Sequence, residues 1–292
     1  MRRFYLYARL KFMKLLEGKK ISEKVLNEVK TSIRKEKLKP VLAVVLVGDD
    51  KASEIYVKLK GKAAKKVGIG FKLYKFRKTE KENKIIETVK KLSRDKKISG
   101  IIIQLPLPKK FNTQKIINSL DSRKDVDGFH PQNVRKFIEY TGEIWPVFPH
   151  AIVRLIKSSG MKIENKKAVV LANSVRFGEV MGAALRNKGM KASYILARNI
   201  KNKLREIKLA DVVISAIGKP GLVKGVMTKK DVVIIDGGIT KKGKKVLGDV
   251  DFESVKKASG YLSPVPGGVG PVTIACLLEN VYLASKKQFE KK

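Results

Sequence analysis

The sequence predicts an α/β protein of two domains, each built on a parallel β-sheet, and three observations support this fold class. The chain has 292 residues, which is too long for one small core and suits two domains of ordinary size. Hydrophobic residues make up 43% of the chain, enough to bury real cores and to exclude wholesale disorder. Short apolar runs alternate with helical segments in both halves, and this alternation indicates parallel sheets with right-handed crossovers.

The first α/β pattern begins with Val41–Val47, a continuous apolar run typical of a strand that is buried on both faces. Gly48 then turns the chain toward a helix predicted over residues 53–67. Thr79 and Glu82 have the capping-box spacing that opens a helix, which we expect to run to about Arg94. The other predicted elements are strands over residues 71–76 and 100–104 and a rigid proline loop over residues 105–108.

Residues 121–149 are predicted to be irregular, and a helix over residues 149–159 is expected to bridge the domains. Asp125 and Asp127 in this segment allow three interpretations: turn capping around Gly128, metal binding, or a carboxylate that accepts hydrogen bonds from a heterocycle. No His/Cys cluster or third carboxylate supports the metal. The sequence therefore predicts no metal, and it leaves the other two interpretations open.

The second α/β pattern begins at Lys167 and predicts a doubly wound, Rossmann-type nucleotide-binding domain. Dense turn signals occupy residues 264–271. The predicted strands cover residues 168–171, 193–196, 212–216 and 232–236, and the predicted helices cover residues 177–188 and 273–287.

A group of polar residues is predicted at the carboxyl edge of the first sheet, where open α/β folds bind ligands. Ser53, Tyr56 and Lys60 are spaced to share one helix face, and Gln104 leaves a neighbouring strand at the same edge. A lysine buried in such a cleft loses proton affinity and becomes an acid–base group. Chance surface packing is the alternative, because a Tyr-x-x-x-Lys pair is a weak signal alone.

The turn after the first strand of the second pattern has the place of a phosphate-binding loop. It contains Ala172, Asn173 and Ser174 and opens a helix, whose N-terminal amides favour a pyrophosphate. Gly178 is its single glycine, so the usual glycine fingerprint is missing. After the next strand Arg198 stands where an NAD site normally has an acid, which favours NADP over NAD. A solvated arginine remains the alternative.

The net charge of +38, from 65 basic and 27 acidic residues, attracts anions such as nucleic acid, acidic lipid or phosphorylated and polycarboxylate substrates. The lysines are spread along the whole chain, which also fits an ordinary solvated surface.

The lone Cys276 excludes an intramolecular disulfide, is expected to be a buried small residue, and suits a reducing cytoplasm. No apolar run is long enough for a membrane span, and residues 1–13 are expected to be an N-terminal extension or to follow a mis-set start codon.

Eight motifs, in order along the chain, resemble the bifunctional methylenetetrahydrofolate dehydrogenase/cyclohydrolase family. The resemblance covers residues 14–285, and the combination of KDVDGF, QLPLP and PVPGGVGP is highly specific. The motifs are LLEGK from Leu15, LAVVLVGDDKASEIYVKLKGKA from Leu42, GIIIQLPLP from Gly100, KDVDGFHP from Lys124, ISAIGKPG from Ile214, DGGIT from Asp236, GDVDF from Gly248 and SPVPGGVGPVTIACLLEN from Ser263.

The resemblance implies a role for each matched residue. Tyr56 would stack on or orient the pterin, Lys60 would be the central acid–base group, Gln104 would hydrogen-bond and tune Lys60, and Asp127 would hold the amino-pyrimidine edge. The remaining folate-facing residues would be Leu105, Pro106, Pro266 and Gly267, and the cofactor-binding residues Ala172, Asn173, Ser174, Arg198, Ala216, Gly218, Gly238 and Ile239.

The implied activity is oxidation of 5,10-methylenetetrahydrofolate to the 5,10-methenyl form with NADP, or NAD, followed by hydrolysis to 10-formyltetrahydrofolate in one cleft. The implied partners are an anionic, polyglutamylated folate and a second copy in a homodimer. The implied division is a catalytic domain over residues 14–150 and 273–292, with the terminal helix returning to it, and an NADP-binding domain over residues 151–272.

The phosphate loop departs from the family pattern G-R-S-x-x-V-G-x-P at Ala172, Asn173, Phe177 and Val180, and Phe148 replaces a threonine of P-C-T-P. A methyl group at Ala172 is expected to crowd the pyrophosphate. An alternative is therefore a cyclohydrolase with weak or lost dehydrogenase activity. A nucleic-acid-binding protein is a remote alternative from the charge alone. The sequence leaves the cofactor preference, the pterin carrier, the oligomeric state and the reason for the charge open.

Overall fold

The computed structural model describes residues 13–243 and 245–290, so the expected extension over residues 1–12 lies outside the described residues. The strands are β1 (Lys14–Leu15), β2 (Val41–Val47), β3 (Gly70–Phe76), β4 (Gly100–Ile103), β5 (Lys167–Ala172), β6 (Lys191–Leu196), β7 (Val212–Ala216), β8 (Val232–Asp236), β9 (Thr240–Lys242), β10 (Lys245–Leu247) and β11 (Ser259–Leu262). The helices are α1 (Gly18–Lys35), α2 (Lys51–Val67), α3 (Glu82–Arg94), α4 (Thr113–Asn118), α5 (Pro131–Ile138), α6 (Val147–Ser158), α7 (Val175–Arg186), α8 (Leu204–Lys208), α9 (Phe252–Val255) and α10 (Val269–Glu290).

The first sheet has three parallel strands in the order β3-β2-β4. Its central strand β2 is buried on both faces, as its apolar run predicts. Leu42, Val44 and Leu46 join a core with α1, α2 and α10, whereas the alternate residues Ala43 and Val45 join a core with α3 and α4. The period of two along a strand therefore divides one apolar run between two cores.

Helix α2 carries the predicted polar face and begins two residues earlier than expected. Asp50 caps it, because its Oδ2 accepts a hydrogen bond from the Ser53 amide at 2.7 Å. Gly68 ends the helix with a φ of 87°, a left-handed conformation that glycine adopts without strain. The cap fixes the first turn of α2 at the carboxyl edge of β2.

The capping box predicted from Thr79 and Glu82 is wrong. Helix α3 begins at Glu82, and the residue before it makes no side-chain cap. The Glu82 carboxylate instead accepts a hydrogen bond from the Asn112 amide at 2.7 Å and pairs with Lys115. A tertiary contact with the start of α4 has therefore replaced the local cap.

The segment over residues 121–149 is more ordered than predicted. It contains a short 3₁₀ turn at Ser122–Lys124 and the helix α5. The Nδ1 atom of His130 accepts a hydrogen bond from the Gln132 amide at 3.2 Å and caps α5, and Pro131 occupies the first turn. A capping histidine is a weak sequence signal, which explains why the helix was not predicted.

The second sheet has six parallel strands in the order β1-β11-β8-β7-β5-β6. Strands β7 and β8 have the predicted bounds, while β6 and α7 begin two residues early. Strand β1, at the edge of this sheet, and strand β11, beside it, were not predicted. Lys14 and Leu15 of β1 pair with Tyr261 and Leu262 of β11, so the start of the chain joins the second sheet although the sequence groups it with the first.

The terminal helix α10 begins four residues before its predicted start and returns to the first sheet. It packs against α1 and α6 and contacts β2 and β4. Cys276 on this helix is fully buried, as expected of a small apolar residue. Within the described residues no helix is both long and apolar enough to cross a membrane.

Candidate active site

The predicted polar face of α2 lies at the carboxyl edge of the first sheet. Tyr56 and Lys60 are both half-buried, whereas Ser53 is buried and serves the helix cap. The Lys60 ammonium donates a hydrogen bond to Gln104 Oε1 at 2.9 Å. Gln104 follows β4 directly, so one helix and two neighbouring strands bring these groups together.

The Gln104 side chain is oriented by a second hydrogen bond. Its Nε2 donates to the carbonyl of Leu105 at 2.8 Å, which leaves Oε1 directed at Lys60. Burial lowers the pKa of Lys60 below its ordinary value, and the nearby Asp127 carboxylate opposes that shift. A lysine in this environment releases its proton more readily than a surface lysine, so it can act as an acid–base group.

The two aspartates of the KDVDGF segment have different environments. Asp125 is 2% exposed and accepts hydrogen bonds from the Gly128 and His130 amides and from Asn133 Nδ2. Asp125 therefore organises the turn. Asp127 lies near Lys60, and its carboxylate has no hydrogen-bond donor among the described residues. The structure thus leaves Asp127, rather than Asp125, available to a ligand.

Burial also shifts the titration of Asp127. The pKa of its carboxyl group is raised to about 6, because desolvation outweighs the attraction of Lys60 and the Asp125 charge adds to the rise. Lys60 and Asp127 are thus both shifted toward their neutral forms. Perturbed pKa values of this kind are typical of functional sites.

Tyr56 and the Pro-Gly loop before α10 form another wall of the site. The Tyr56 hydroxyl is close to the start of α10, since it would lie 3.7 Å from a Cβ on Gly270. In the loop, the Gly268 amide donates to the Pro264 carbonyl at 2.7 Å, and Gly267 has a φ of 105°. The peptide bonds before Pro106 and Pro266 are both cis.

The loop in which the sequence predicts phosphate binding joins β5 to the start of α7. Ser174 caps the helix, because its hydroxyl accepts a hydrogen bond from the Phe177 amide at 3.3 Å. Asn173 Nδ2 donates to the carbonyl of Ile217 at 2.6 Å. This bond ties the phosphate loop to the loop after β7.

The expectation that Ala172 crowds the pyrophosphate is wrong. Ala172 has 0% exposure, and its methyl group packs in the core between α6 and α7. Val180 is also buried there. The rings of Phe148 and Phe177 pack edge to face with centroids 5.7 Å apart, so two departures from the family pattern contact each other.

The loops that follow β5, β6, β7 and β8 can hold a dinucleotide. Gly178 allows close packing of α7 on β6, since a Cβ there would lie 2.5 Å from the Tyr194 ring. The first-turn amides of α7 suit a pyrophosphate, and the exposed Arg198 follows β6 without an acidic residue beside it. Gly218 has a φ of 78° and open space around it. These residues fit NADP.

Three residues that organise the site were not predicted. Asp236 and Asp249 are buried acceptors beneath the loops after β7 and β8. Asn280 on α10 donates to the carbonyls of Val126 and Trp145 at 2.9 Å each and so fixes the segment that carries Asp127. The DGGIT, GDVDF and LLEN motifs contain these residues, but most of their contacts are distant in sequence.

His150, Cys276 and Glu279 have metal-ligating atoms within 4.8 Å of one another, and of the three only Cys276 is fully buried. Arg154 occupies this group, because it donates two hydrogen bonds to Glu279 at 2.7 and 2.8 Å and one to His150 Nε2 at 3.1 Å. The neutral His150 ring must therefore carry its proton on Nδ1, which removes that atom as a ligand. We therefore assign His150, Cys276, Glu279 and Arg154 a structural role rather than a metal-binding role.

A groove of about 930 Å³ lies away from this site, between the ends of α3, α4, α5 and α10. Basic residues line it, among them Lys90, Arg94 and Lys136. Cations are favoured at helix C-termini by the helix dipole, and Lys124 Nζ indeed donates to the Leu92 and Asp95 carbonyls. Lys124 therefore has a structural role at the C-terminal end of α3.

Two family models match the chain. Residues 16–127 match the tetrahydrofolate dehydrogenase/cyclohydrolase catalytic domain, and residues 146–289 match the NAD(P)-binding domain of the same family. The bifunctional protein FolD of a Nitratiruptor species is 39% identical over 280 residues, which cover 94% of this chain and 99% of the relative.

Two solved structures have the same architecture. The bifunctional enzyme FolD from Campylobacter jejuni superposes with a TM-score of 0.89 at 38% identity, covering 94% of this chain and 99% of that one. The FolD of Trypanosoma brucei, solved with NADP cofactor and an inhibitor, superposes with a TM-score of 0.89 at 28% identity, covering 95% and 99%.

Proposed function

The chain belongs to the tetrahydrofolate dehydrogenase/cyclohydrolase family, and from that premise we propose how its cleft carries out both reactions. The enzyme oxidises 5,10-methylenetetrahydrofolate to the 5,10-methenyl form and then hydrolyses that product to 10-formyltetrahydrofolate. The observation that carries the proposal is the hydrogen bond between Lys60 and Gln104 beside the unpaired carboxylate of Asp127. Neither alternative, a cyclohydrolase alone or a nucleic-acid-binding protein, is favoured by any finding.

Lys60 is the acid–base group of the hydrolytic step. Burial lowers its pKa, so the neutral amine forms more readily than on a surface lysine. The amine removes a proton from water as the water oxygen attacks the cationic carbon between N5 and N10. The ammonium then returns that proton to N5 as the carbon–N5 bond breaks, while the hydroxyl proton leaves to solvent and the formyl group remains on N10.

Three other residues hold the folate in place. Asp127 accepts hydrogen bonds from the amino-pyrimidine edge, because its carboxylate has no donor among the described residues. Tyr56 stacks on the pterin beside the Pro266 and Gly267 loop, and Leu105 and Pro106 follow Gln104 at the opposite wall. Gln104 keeps Lys60 directed at the reacting carbon, since its own amide is fixed on Leu105.

The oxidation needs the second sheet. NADP⁺, when bound, supplies the acceptor for the hydride that leaves the methylene bridge. Ser174 and the first-turn amides of α7 would hold the pyrophosphate, and Arg198 would pair with the 2′-phosphate, which would favour NADP over NAD. Ala216, Gly218, Gly238 and Ile239 line the cleft, and Asn173 ties two of its loops together. Ala172 supports the loop from the core.

The packing of the chain supports a domain division. We propose residues 16–150 and 273–290 as the catalytic domain, because α10 packs against α1, and residues 151–272 as the cofactor domain, whose sheet also takes in β1. The net charge of +38 suits an anionic, polyglutamylated folate.

We further propose a homodimer formed through the cofactor domain. We also propose a cytoplasmic location, where the lone Cys276 stays reduced.

Paired kinetics test this function. The purified protein is assayed for methenyl formation with NADP⁺ and with NAD⁺, and separately for hydrolysis of added methenyltetrahydrofolate. We expect hydride transfer with NADP⁺, weaker transfer with NAD⁺, and hydrolysis without any dinucleotide. Hydrolysis without hydride transfer at saturating NADP⁺ would instead support the cyclohydrolase alternative, and the absence of both activities would refute the proposal.

A further inference from the structure

We propose that Asp249 is a positioning residue for the dehydrogenase step, which holds the loop over residues 215–219 in the conformation that accepts NADP. The proposal rests on the proposed function, because it takes this loop as one wall of the cofactor cleft. Asp249 lies behind the loop and has 0% exposure, so it cannot touch the cofactor itself. Asp249 therefore affects NADP binding only through the backbone of the loop over residues 215–219.

The Asp249 carboxylate makes three hydrogen bonds to this one loop. Its Oδ2 accepts from the Ser215 hydroxyl and the Ile217 amide, and its Oδ1 accepts from the Lys219 amide, each at 2.7 Å. The amides on either side of Gly218 therefore face inward to one carboxylate. Gly218 between them has a φ of 78°, and its amide has no acceptor in the described part of the chain. The loop thus presents Gly218 to the cleft.

A second buried aspartate holds Asp249 in place. The Asp236 carboxylate accepts hydrogen bonds from the amides of Gly238, Asp249 and Val250 at 3.0, 2.9 and 2.9 Å. Asp236 ends β8, so its carboxylate links the loop after β8 to the segment that carries Asp249. One chain of buried acceptors therefore joins both cofactor-facing loops.

The carboxylates of Asp236 and Asp249 lie so close to the backbone of Gly248 and Gly238 that neither position has room for a side chain. A Cβ on Gly238 would collide with Asp249 Oδ1, and a Cβ on Gly248 would collide with Asp236 Oδ2. No lysine or arginine pairs with Asp249 among the described residues, so backbone amides and one hydroxyl satisfy its charge. Such a carboxylate fixes its donors more strongly than a neutral acceptor does.

Substitution of Asp249 by Asn separates this role from ordinary folding support. The amide has the same shape but a single acceptor oxygen, so its NH₂ group must face either the Lys219 amide or the two donors at Oδ2. We expect the KM for NADP⁺ to rise at least about tenfold, while kcat at saturating NADP⁺ falls less than about threefold. Hydrolysis of methenyltetrahydrofolate, which uses no cofactor, stays within about twofold of the unsubstituted enzyme.

Asp251→Asn is the matched control. Asp251 lies two residues away in the same motif, but its carboxylate only caps α9 by accepting from the Ser254 amide at 3.1 Å. Asn is also a good helix cap, so the KM for NADP⁺ should not change. If the control raises this KM as much as Asp249→Asn does, the effect is general to the motif and the proposal is wrong.

The remaining outcomes are decisive in either direction. A parallel loss of both activities with an unchanged KM for NADP⁺ would mean that Asp249 only supports the fold. If Asp249→Asn does not fold, Ser215→Ala decides, because it removes one donor and leaves both backbone bonds. We expect about a threefold rise in KM for NADP⁺, and an unchanged KM overturns the proposal. If the proposed function itself is wrong, the unsubstituted enzyme will transfer no hydride, and this result is distinct from any result with the variants.

Discussion

The two edges of the cleft are built in different ways. At the edge of the first sheet, side chains are directed at the proposed folate site: Lys60 donates to Gln104, lies near Asp127, and all three remain partly accessible. At the edge of the second sheet, backbone loops line the proposed cofactor site, and the side chains that fix them, Asp236 and Asp249, are buried behind those loops.

This difference follows from the chemistry of each edge. Hydrolysis moves protons and therefore needs titratable groups within reach of the substrate. Dinucleotide binding needs amides and carbonyls at fixed positions, which glycine-containing loops supply. Substitutions at the first edge should therefore change rates, whereas substitutions at the second edge should change cofactor affinity.

The largest expected effect is at Lys60. Lys60→Ala removes the acid–base group, and we expect cyclohydrolase activity to fall about a thousandfold, within the range that such groups contribute. Binding of NADP⁺ should not change, because Lys60 lies on the opposite edge. The measurements are the hydrolysis rate of methenyltetrahydrofolate and a calorimetric titration with NADP⁺.

Lys62→Ala is the control for this variant. Lys62 lies on the same helix, is exposed, and pairs with no acid among the described residues. It should hydrolyse the substrate at the unsubstituted rate. Normal hydrolysis by Lys60→Ala would remove Lys60 from the mechanism, and lost NADP⁺ binding would mean that the two edges are not independent.

The next effect tests the second edge at Arg198. Arg198→Ala removes a charged hydrogen-bond partner of the 2′-phosphate, an interaction of about 1.5–3 kcal/mol, so the KM for NADP⁺ should rise about ten- to a hundredfold. The KM for NAD⁺ should change less than about twofold, because NAD⁺ lacks that phosphate. Arg205→Ala, an exposed arginine on α8, is the control. Equal losses for both dinucleotides would refute recognition of the phosphate.

A pH profile tests the titration of Asp127. The pKa of this carboxyl group is raised to about 6, so the ionised form that accepts from the pterin is lost as the pH falls through that value. The KM for methenyltetrahydrofolate should therefore rise up to about tenfold per pH unit below about pH 6. Asp127→Asn should abolish this dependence. A profile that is identical in the variant would assign the titration to another group.

The first edge could be predicted from sequence almost residue by residue. Tyr56 and Lys60 lie on one helix, where helical spacing places them, and Gln104 directly follows a strand that the apolar pattern shows. The choice between Asp125 and Asp127 could not be predicted. It depends on Asn133 and on two backbone amides, whose positions only the folded turn defines.

The second edge could be predicted only as a set of loops. The strands β7 and β8 have the expected bounds, because continuous apolar runs define buried strands. The bonds from Ile217 and Lys219 to Asp249 span about thirty residues and leave no periodic trace. The expected crowding at Ala172 was wrong for a different reason: the period of two along β5 places its methyl group in one core with Ala168 and Val170.

The smallest expected effect is at Asn173, where the phosphate loop meets the loop after β7. Asn173→Ala removes one neutral hydrogen bond, from Nδ2 to the Ile217 carbonyl at 2.6 Å, and such a bond contributes about 0.5–1.5 kcal/mol. The KM for NADP⁺ should rise about threefold to tenfold without a change in hydrolysis. An unchanged KM would mean that the loop after β7 keeps its position without this bond, whereas slower hydrolysis would show that the edge of the second sheet also affects the edge of the first.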